Sequence, residues 1–320
     1  MDGSRRQVLF ALAAGLGASL AGCSQRAPLR IAGHPWPGYE PLFLAESQQL
    51  LPKQVALTHY PTIKASIDAL REARVDAAML TLDEVLTLQV GGLDLQVILV
   101  MDVSKGADAL VARRPLPSLA LLAGQRVGLE PSTLGELMLS MILEKAGLKR
   151  NAITPVLLPY ESQEAAFKSG AVDALITYEP VVGRLTAAGA VKLLSTRELP
   201  DAVFDVLAVR TEMAPAYTQA LQQCLLGHFK VVQQLRRNPW DTAYRMVTHA
   251  GVSAEELMDA FRGLELPDLV ANQSYLSIGN GHLRAIVDKL SGVMVAAGTL
   301  PRPADAGRLF TDAYLPRSMG

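Results

Sequence analysis

Three short stretches of the chain recur, in the same order, at an offset of 96 or 97 residues. Arg30-Ile31-Ala32-Gly33 matches Arg126-Val127-Gly128-Leu129. Val75-Asp76-Ala77-Ala78-Met79-Leu80-Thr81 matches Val172-Asp173-Ala174-Leu175-Ile176-Thr177, with one residue dropped. Asp108-Ala109-Leu110-Val111-Ala112-Arg113 matches Asp205-Val206-Leu207-Ala208-Val209-Arg210. One match could arise by chance; three at nearly one offset argue for two similar structural units.

Each unit reads as strands alternating with helices. Apolar runs near 29–33, 54–59, 75–80 and 95–102 are separated by helical patterns near 39–50, 62–73 and 82–90. Runs near 126–129, 153–158, 173–177 and 190–195 are separated by helical patterns near 134–146, 162–169 and 180–188. Such alternation predicts parallel sheets and right-handed crossovers. From about 212 the pattern is almost wholly helical, near 214–237, 239–250, 253–262 and 281–297. Pro239 opens one helix and Gly251 follows the end of the same one. Pro301, Pro303 and Pro316 make the end irregular. A chain of 320 residues, 50% of them hydrophobic, can fill two cores.

The expected fold class is α/β with two lobes, each a parallel-rich sheet with helices on both faces. Residues 29–106 and 206–320 would form the first lobe and 107–205 the second. The matched Asp108 and Asp205 segments fall where one unit gives way to the other, so they mark two hinge crossings. Ligands of open α/β sheets bind beyond the carboxyl ends of the strands. Two sheets facing each other across a hinge place those ends in a common cleft.

The first residues read as a targeting segment. Arg5 and Arg6 form a positive start, and Val8 to Ala21 is an apolar run too short to span a membrane. It leads into Leu20-Ala21-Gly22-Cys23, which looks like a bacterial lipobox, with Cys23 as the lipidated residue and 24–28 as a tether. Ser4-Arg5-Arg6-Gln7-Val8-Leu9 also resembles a twin-arginine signal. The mature chain would then be extracytoplasmic and held to a membrane by lipid. Cys224 has no intrachain partner left and lies in an apolar helical stretch, where packing is its expected role.

Several functions are disfavoured. Net charge −1 without a Lys/Arg run speaks against nucleic acid. The five histidines and two cysteines show no metal-ligand spacing. No nucleophile elbow, phosphate loop or Ser-His-Asp arrangement is visible, so no catalytic residue is assigned and no cofactor or metal is expected.

The strand-to-helix turns carry the candidate ligand residues. Thr81-Leu82-Asp83-Glu84 and Thr133-Leu134-Gly135-Glu136 both read as capping boxes. In Tyr178-Glu179-Pro180 the proline stands where a first helical turn tolerates it. His34-Pro35-Trp36-Pro37-Gly38-Tyr39-Glu40-Pro41 is rigid and aromatic. Free amides at helix starts and flat aromatic faces suit a small polar organic molecule. The candidates are Trp36, Tyr39, Glu40, Thr81, Asp108, Ser132, Thr133, Tyr160, Tyr178, Glu179 and Asp205. The acidic ones suggest a ligand with amine, amidine or ring N–H donors. Plainer roles compete: Glu84, Glu136 and Glu179 as caps, Asp76 and Asp173 as turn residues, Trp36 and Tyr39 as a hydrophobic plug. Asp205 lies inside an apolar run, and a buried carboxylate there needs a partner, either the ligand or a hinge hydrogen bond.

The lipobox, Trp36 to Pro41, Val75 to Glu84, Gly124 to Gly147 and Val172 to Pro180 together resemble the nitrate/sulfonate/taurine-type substrate-binding proteins of ABC transporters, including relatives of thiamine-pyrimidine binding proteins. The resemblance covers most of residues 29–210. It implies a type II-like periplasmic-binding-protein fold, a monomer, and delivery of ligand to an ABC permease in the membrane. It also implies a pocket at the first aromatic turn, the Thr81 turn, Ser132/Thr133 and Tyr178. The candidate turns lack Arg and Lys, which fits a nitrogen-bearing or zwitterionic ligand better than nitrate or bicarbonate. A sulfonate or other anion, a ligand-sensing lipoprotein that signals to a membrane sensor, and an enzyme are the competing readings.

Overall fold

Two arginine–aspartate clasps show the repeat at atomic detail. In the computed structural model, which describes residues 26–277 and 281–319, the Arg30 backbone N–H and Nε donate to Asp76 Oδ2 at 2.9 and 3.0 Å. Its Nη2 reaches Asp76 Oδ1 at 2.7 Å and the Ala73 carbonyl at 3.0 Å. Arg126 repeats every contact with Asp173 and Gly170, at 2.9, 3.1, 2.8 and 2.8 Å. The return bonds match too, Asp76 N to Arg30 O at 2.8 Å and Asp173 N to Arg126 O at 2.9 Å. Asp76 and Asp173 are therefore more than turn residues: each fixes the register between the first and third strands of its unit.

Two sheets follow from this pattern. The first holds β1 (Leu29–Gly33), β2 (Val55–His59), β3 (Ala77–Thr81), β4 (Leu95–Ser104), β10 (Phe204–Arg210) and β11 (Leu264–Glu265), in the order β11-β4-β10-β3-β1-β2. The second holds β5 (Asp108–Ala112), β6 (Arg126–Leu129), β7 (Thr154–Leu157), β8 (Ala174–Tyr178) and β9 (Val191–Ser195), in the order β7-β6-β8-β5-β9. β1 pairs in parallel with β2 and β3, and β6 with β7 and β8. β5 and β10 run antiparallel to their neighbours. The reason is topological: each enters its sheet from the other one, so it arrives pointing the opposite way. β3 is buried along its whole length, as its unbroken apolar run requires when helices cover both faces.

The helices are α1 (Glu40–Ser47), α2 (Ile63–Arg71), α3 (Leu82–Val90), α4 (Thr133–Ala146), α5 (Tyr160–Ser169), α6 (Val181–Ala187), α7 (Thr218–Arg237), α8 (Pro239–Ala250), α9 (Ala254–Arg262), α10 (Leu269–Leu276) and α11 (Gly281–Ala296). The tail is almost wholly helical as expected, interrupted by the two-residue β11, and α10 is a helix the pattern did not mark out. α4 is capped by Ser132, whose hydroxyl accepts from Gly135 N at 3.1 Å. This corrects the reading of Thr133 as the cap. Glu136, freed from a capping box, pairs with Arg150 instead.

The largest apolar cluster runs from the first sheet into the second, through Leu82, Val85 and Leu86 of α3, Leu137 and Met141 of α4, and Leu283, Ile286 and Leu290 of α11. The C-terminal helices thus touch both sheets: α11 packs on α3 and α4, and α9 on α6. Phe310 bridges to Val97, fastening the irregular tail to β4. Cys224 is fully buried in α7, where burial pushes its thiol up to about 12. Cys23 and the segment before it lie outside the described residues.

Candidate functional site

Where β1 ends, the chain makes a tight aromatic turn before α1. Pro37–Tyr39 form a single 3-10 turn with proline at its start. Gly38 is required by space: a Cβ there would lie 1.7 Å from Asp102 Oδ2 and 2.7 Å from Trp36 Nε1. That close approach lets Trp36 Nε1 donate to Asp102 Oδ2 at 3.1 Å, while the Tyr39 hydroxyl donates to Asp205 Oδ1 at 2.6 Å. Asp102 and Asp205 are cross-strand partners in the β4–β10 ladder.

Beyond these strand ends lies a narrow cleft with about 20 Å³ of open space. The first sheet lines it with His34, Trp36, Thr81 and Asp205; the second side contributes Asp108, Glu130, Leu134 and Tyr178. Tyr178 meets Trp36 edge-on at 5.5 Å between centroids and stacks flat on Tyr160 at 4.4 Å. The aromatic wall is thus built from both sheets, with Tyr160 backing Tyr178.

The site is rich in carboxyl groups, and burial dominates their behaviour. Asp108 is pushed up to about 7, chiefly by loss of water; a bond from Ser104 offsets this, and the charges of Asp83, Glu179 and Glu130 add to it. Asp102 is pushed up to about 7 by burial, against the Trp36 and Asp205 hydrogen bonds. Asp205 rises well above the carboxylate range, through burial first and then repulsion from Asp102. Glu84 and Asp83 rise for the same first reason, as do Glu130 and Glu179. His34 is lowered to about 3 by burial, so it is a neutral imidazole. Among the described residues, no Lys or Arg side chain lines the cleft. The arrangement can accept hydrogen bonds and compensate positive charge; it offers no ammonium or guanidinium to an anion.

Trp36, Thr81, Asp108, Tyr178 and Asp205 therefore converge on the cleft, with Tyr39 and Tyr160 directly behind them. Ser132 and Thr133 stand at the start of α4, next to the lining residue Leu134. Ser132 is engaged with Glu130 Oε2 at 3.3 Å, and Thr133 with Asp83. Two candidates point elsewhere. Glu40 is buried against His249, whose Nδ1 lies 2.9 Å from both carboxylate oxygens, because one step along a helix turns the side chain about 100° from that of Tyr39. Glu179 accepts from Gly183 N at 2.8 Å and caps its own helix. Asp102, Glu130 and His34 were not singled out from the sequence. Asp102 carried the signal that marked Asp205, a lone carboxylate in an apolar run.

Comparison with known proteins follows the same outline. A binding protein of Brucella abortus is 25% identical over 123 residues, 37% of this chain and 39% of that protein. An aliphatic sulfonates-binding protein of Escherichia coli is 26% identical over 160 residues, 48% of this chain and 50% of that protein. The matches thus span about two fifths to half of the length of these curated relatives. Among solved structures, the periplasmic aliphatic sulphonate binding protein SsuA from Escherichia coli superposes with a TM-score of 0.75 at 20% identity, covering 91% of this chain and 99% of that one. The desulfurization enzyme DSZB superposes at 0.64 with 16% identity, covering 92% and 98%. At these identities the superpositions establish the two-lobed fold. The profile of the NMT1-like family matches residues 23–248, well over half of the chain and all of the cleft just described; the chain belongs to the NMT1-like family.

Proposed function

We propose that this chain is the extracytoplasmic, lipid-anchored substrate-binding protein of an ABC-type uptake system, capturing a small polar organic molecule that bears nitrogen or is zwitterionic. The observation that carries the ligand class is the cleft itself: Asp108, Asp205 and Glu130 beside the faces of Trp36 and Tyr178, with no cationic side chain lining it. The family, and the names of the relatives, support the binding role. The proposed lobes are residues 29–106 with 206–320, and 107–205, closing over the ligand. The proposed partners are an ABC permease and, through Cys23, a membrane; the chain acts as a monomer and turns nothing over.

One second reading has a specific observation behind it: relatives are named as binders of aliphatic sulfonates. A panel of amines, amidines, aminopyrimidines, taurine, alkylsulfonates, phosphonates and nitrate separates the two by thermal unfolding of the unlipidated protein. A ligand at a hundred times its Kd stabilises by about 2.7 kcal/mol, a shift of roughly 2–4 °C per kcal/mol at this size. Shifts with nitrogen-bearing compounds, lost in Trp36→Ala, support the reading. Shifts with sulfonates alone would overturn the ligand class and leave the binding role standing.

A further inference from the structure

We propose that the ligand is an organic monocation whose protonated nitrogen is taken between Asp108 and Asp205, and that it enters in exchange for a proton the empty site already holds. The proposal rests on the binding role above and specifies the chemistry of that same cleft.

The geometry makes the exchange necessary. Asp205 and Asp102 stand opposite each other in one ladder, both fully buried. Tyr39 and Trp36 each satisfy one oxygen of the pair, while Asp102 Oδ1 and Asp205 Oδ2 face no protein donor. Two like charges in contact, out of water, cannot both ionise, so the pair holds a proton between them. Asp108, from the other sheet, lines the same cleft with a buried Oδ2 that also has no donor. The other titratable groups around the three are Asp83, Glu84, Glu130 and Glu179, all of which would repel a further negative charge, the neutral imidazole of His34, and the neutral phenols Tyr39 and Tyr178. The guanidinium of Arg197, at this crossing, donates to the Lys105 and Arg262 carbonyls. A cation is the species such a site lacks. When it binds, an N–H⁺ donor replaces the shared proton, the carboxyl ionises and the proton goes to solvent; charge and atoms balance. The Tyr178 ring, flat against Tyr160, offers the organic body of the ligand an apolar and weakly cation-attracting face.

Calorimetric titration with benzamidine and 2-phenylethylamine, in phosphate and Tris buffers from pH 5 to 9, tests this on the intact unlipidated protein. Expected is release of about one proton per probe at pH 6, fading towards zero at pH 9. Affinity should rise about tenfold per pH unit over the acid half of that range. Asp108→Asn, which leaves the Asp102–Asp205 pair in place, should weaken both probes at least tenfold at pH 8. If that variant alters the fold, its unfolding midpoint reveals it, and Asp205→Asn supplies the same comparison. Binding without proton release, or with affinity independent of pH, would overturn the exchange. Uptake of sulfonates or neutral compounds but of neither cation would overturn the ligand class and leave the binding role intact. No binding by any member of either panel would overturn this proposal and the binding role together.

Discussion

Asp102 and Asp205 are the residues at which this protein spends stability. Asp102 and Asp108 titrate near 7 when folded and near 4 when unfolded. Groups raised in this way favour the folded state fully below about pH 4, and the contribution is lost as the pH climbs through about 7. Urea unfolding of the ligand-free protein should therefore show stability falling between about pH 4 and 7. Asp102→Asn should flatten that fall: its amide still accepts from Trp36 and can donate to Asp205, so at pH 8 the variant should be more stable than the parent by on the order of 1 kcal/mol or more. Tyr39→Phe works the other way. It strips Asp205 of its donor at 2.6 Å and should cost about 1–3 kcal/mol. At this scale the sequence was half legible. A lone carboxylate in an apolar strand is conspicuous, which singled out Asp205. The identical case of Asp102 gains meaning only through its ladder partner, and that pairing depends on how β10 docks. Whether Glu40 faced the cleft or His249 depended on helix phase, which a turn of prolines and one glycine leaves open.

Helix starts and strand ends were more legible than their bookkeeping. The strands at 29–33 and 126–129 fall where the apolar runs placed them. β5 and β10 were recognised as matched segments but not as strands, since a strand that crosses between sheets has no helix of its own before it. Ser132 displaced Thr133 as the cap because its backbone is extended, with φ −135° and ψ 166°, the conformation a cap requires. Ser132→Ala should cost about 1 kcal/mol in thermal or chemical unfolding, and Thr133→Ala distinctly less. Gly38→Ala is a sharper test of the first turn. The added methyl collides with Asp102, so the Trp36 bond must break. Expected is destabilisation of a few kcal/mol, with quenching or shift of Trp36 fluorescence and loss of ligand-induced stabilisation.

At the scale of the molecule, the repeat offset proved the strongest guide, because both copies end in the same Arg–Asp clasp. What the repeat could not show is how the two units lie against each other, since part of that contact comes from the unrepeated C-terminal third. Arg184 of α6 reaches Glu256 of α9 at 2.5 Å, joining the second sheet's helices to the C-terminal segment. The pair is partly exposed, so Glu256→Gln should change stability by less than about 1 kcal/mol. Its effect should appear in kinetics, as a several-fold faster ligand off-rate by stopped flow. The crossings themselves are fastened to each other. Thr196 Oγ1 meets both the Ser104 hydroxyl and the Gly106 N–H at 2.7 Å, and the Gly263 carbonyl accepts from Lys105 N and Ala107 N. Between these fixed points only Gly106, at φ 125°, has backbone freedom that other residues rarely share. The closure proposed above would turn about these two pins and one soft joint, like a door on a common axle. Asp108 and Asp205 sit beside that axle, at the starts of β5 and β10, so the proposed closure would carry the outer rims through a wider arc than these two carboxylates.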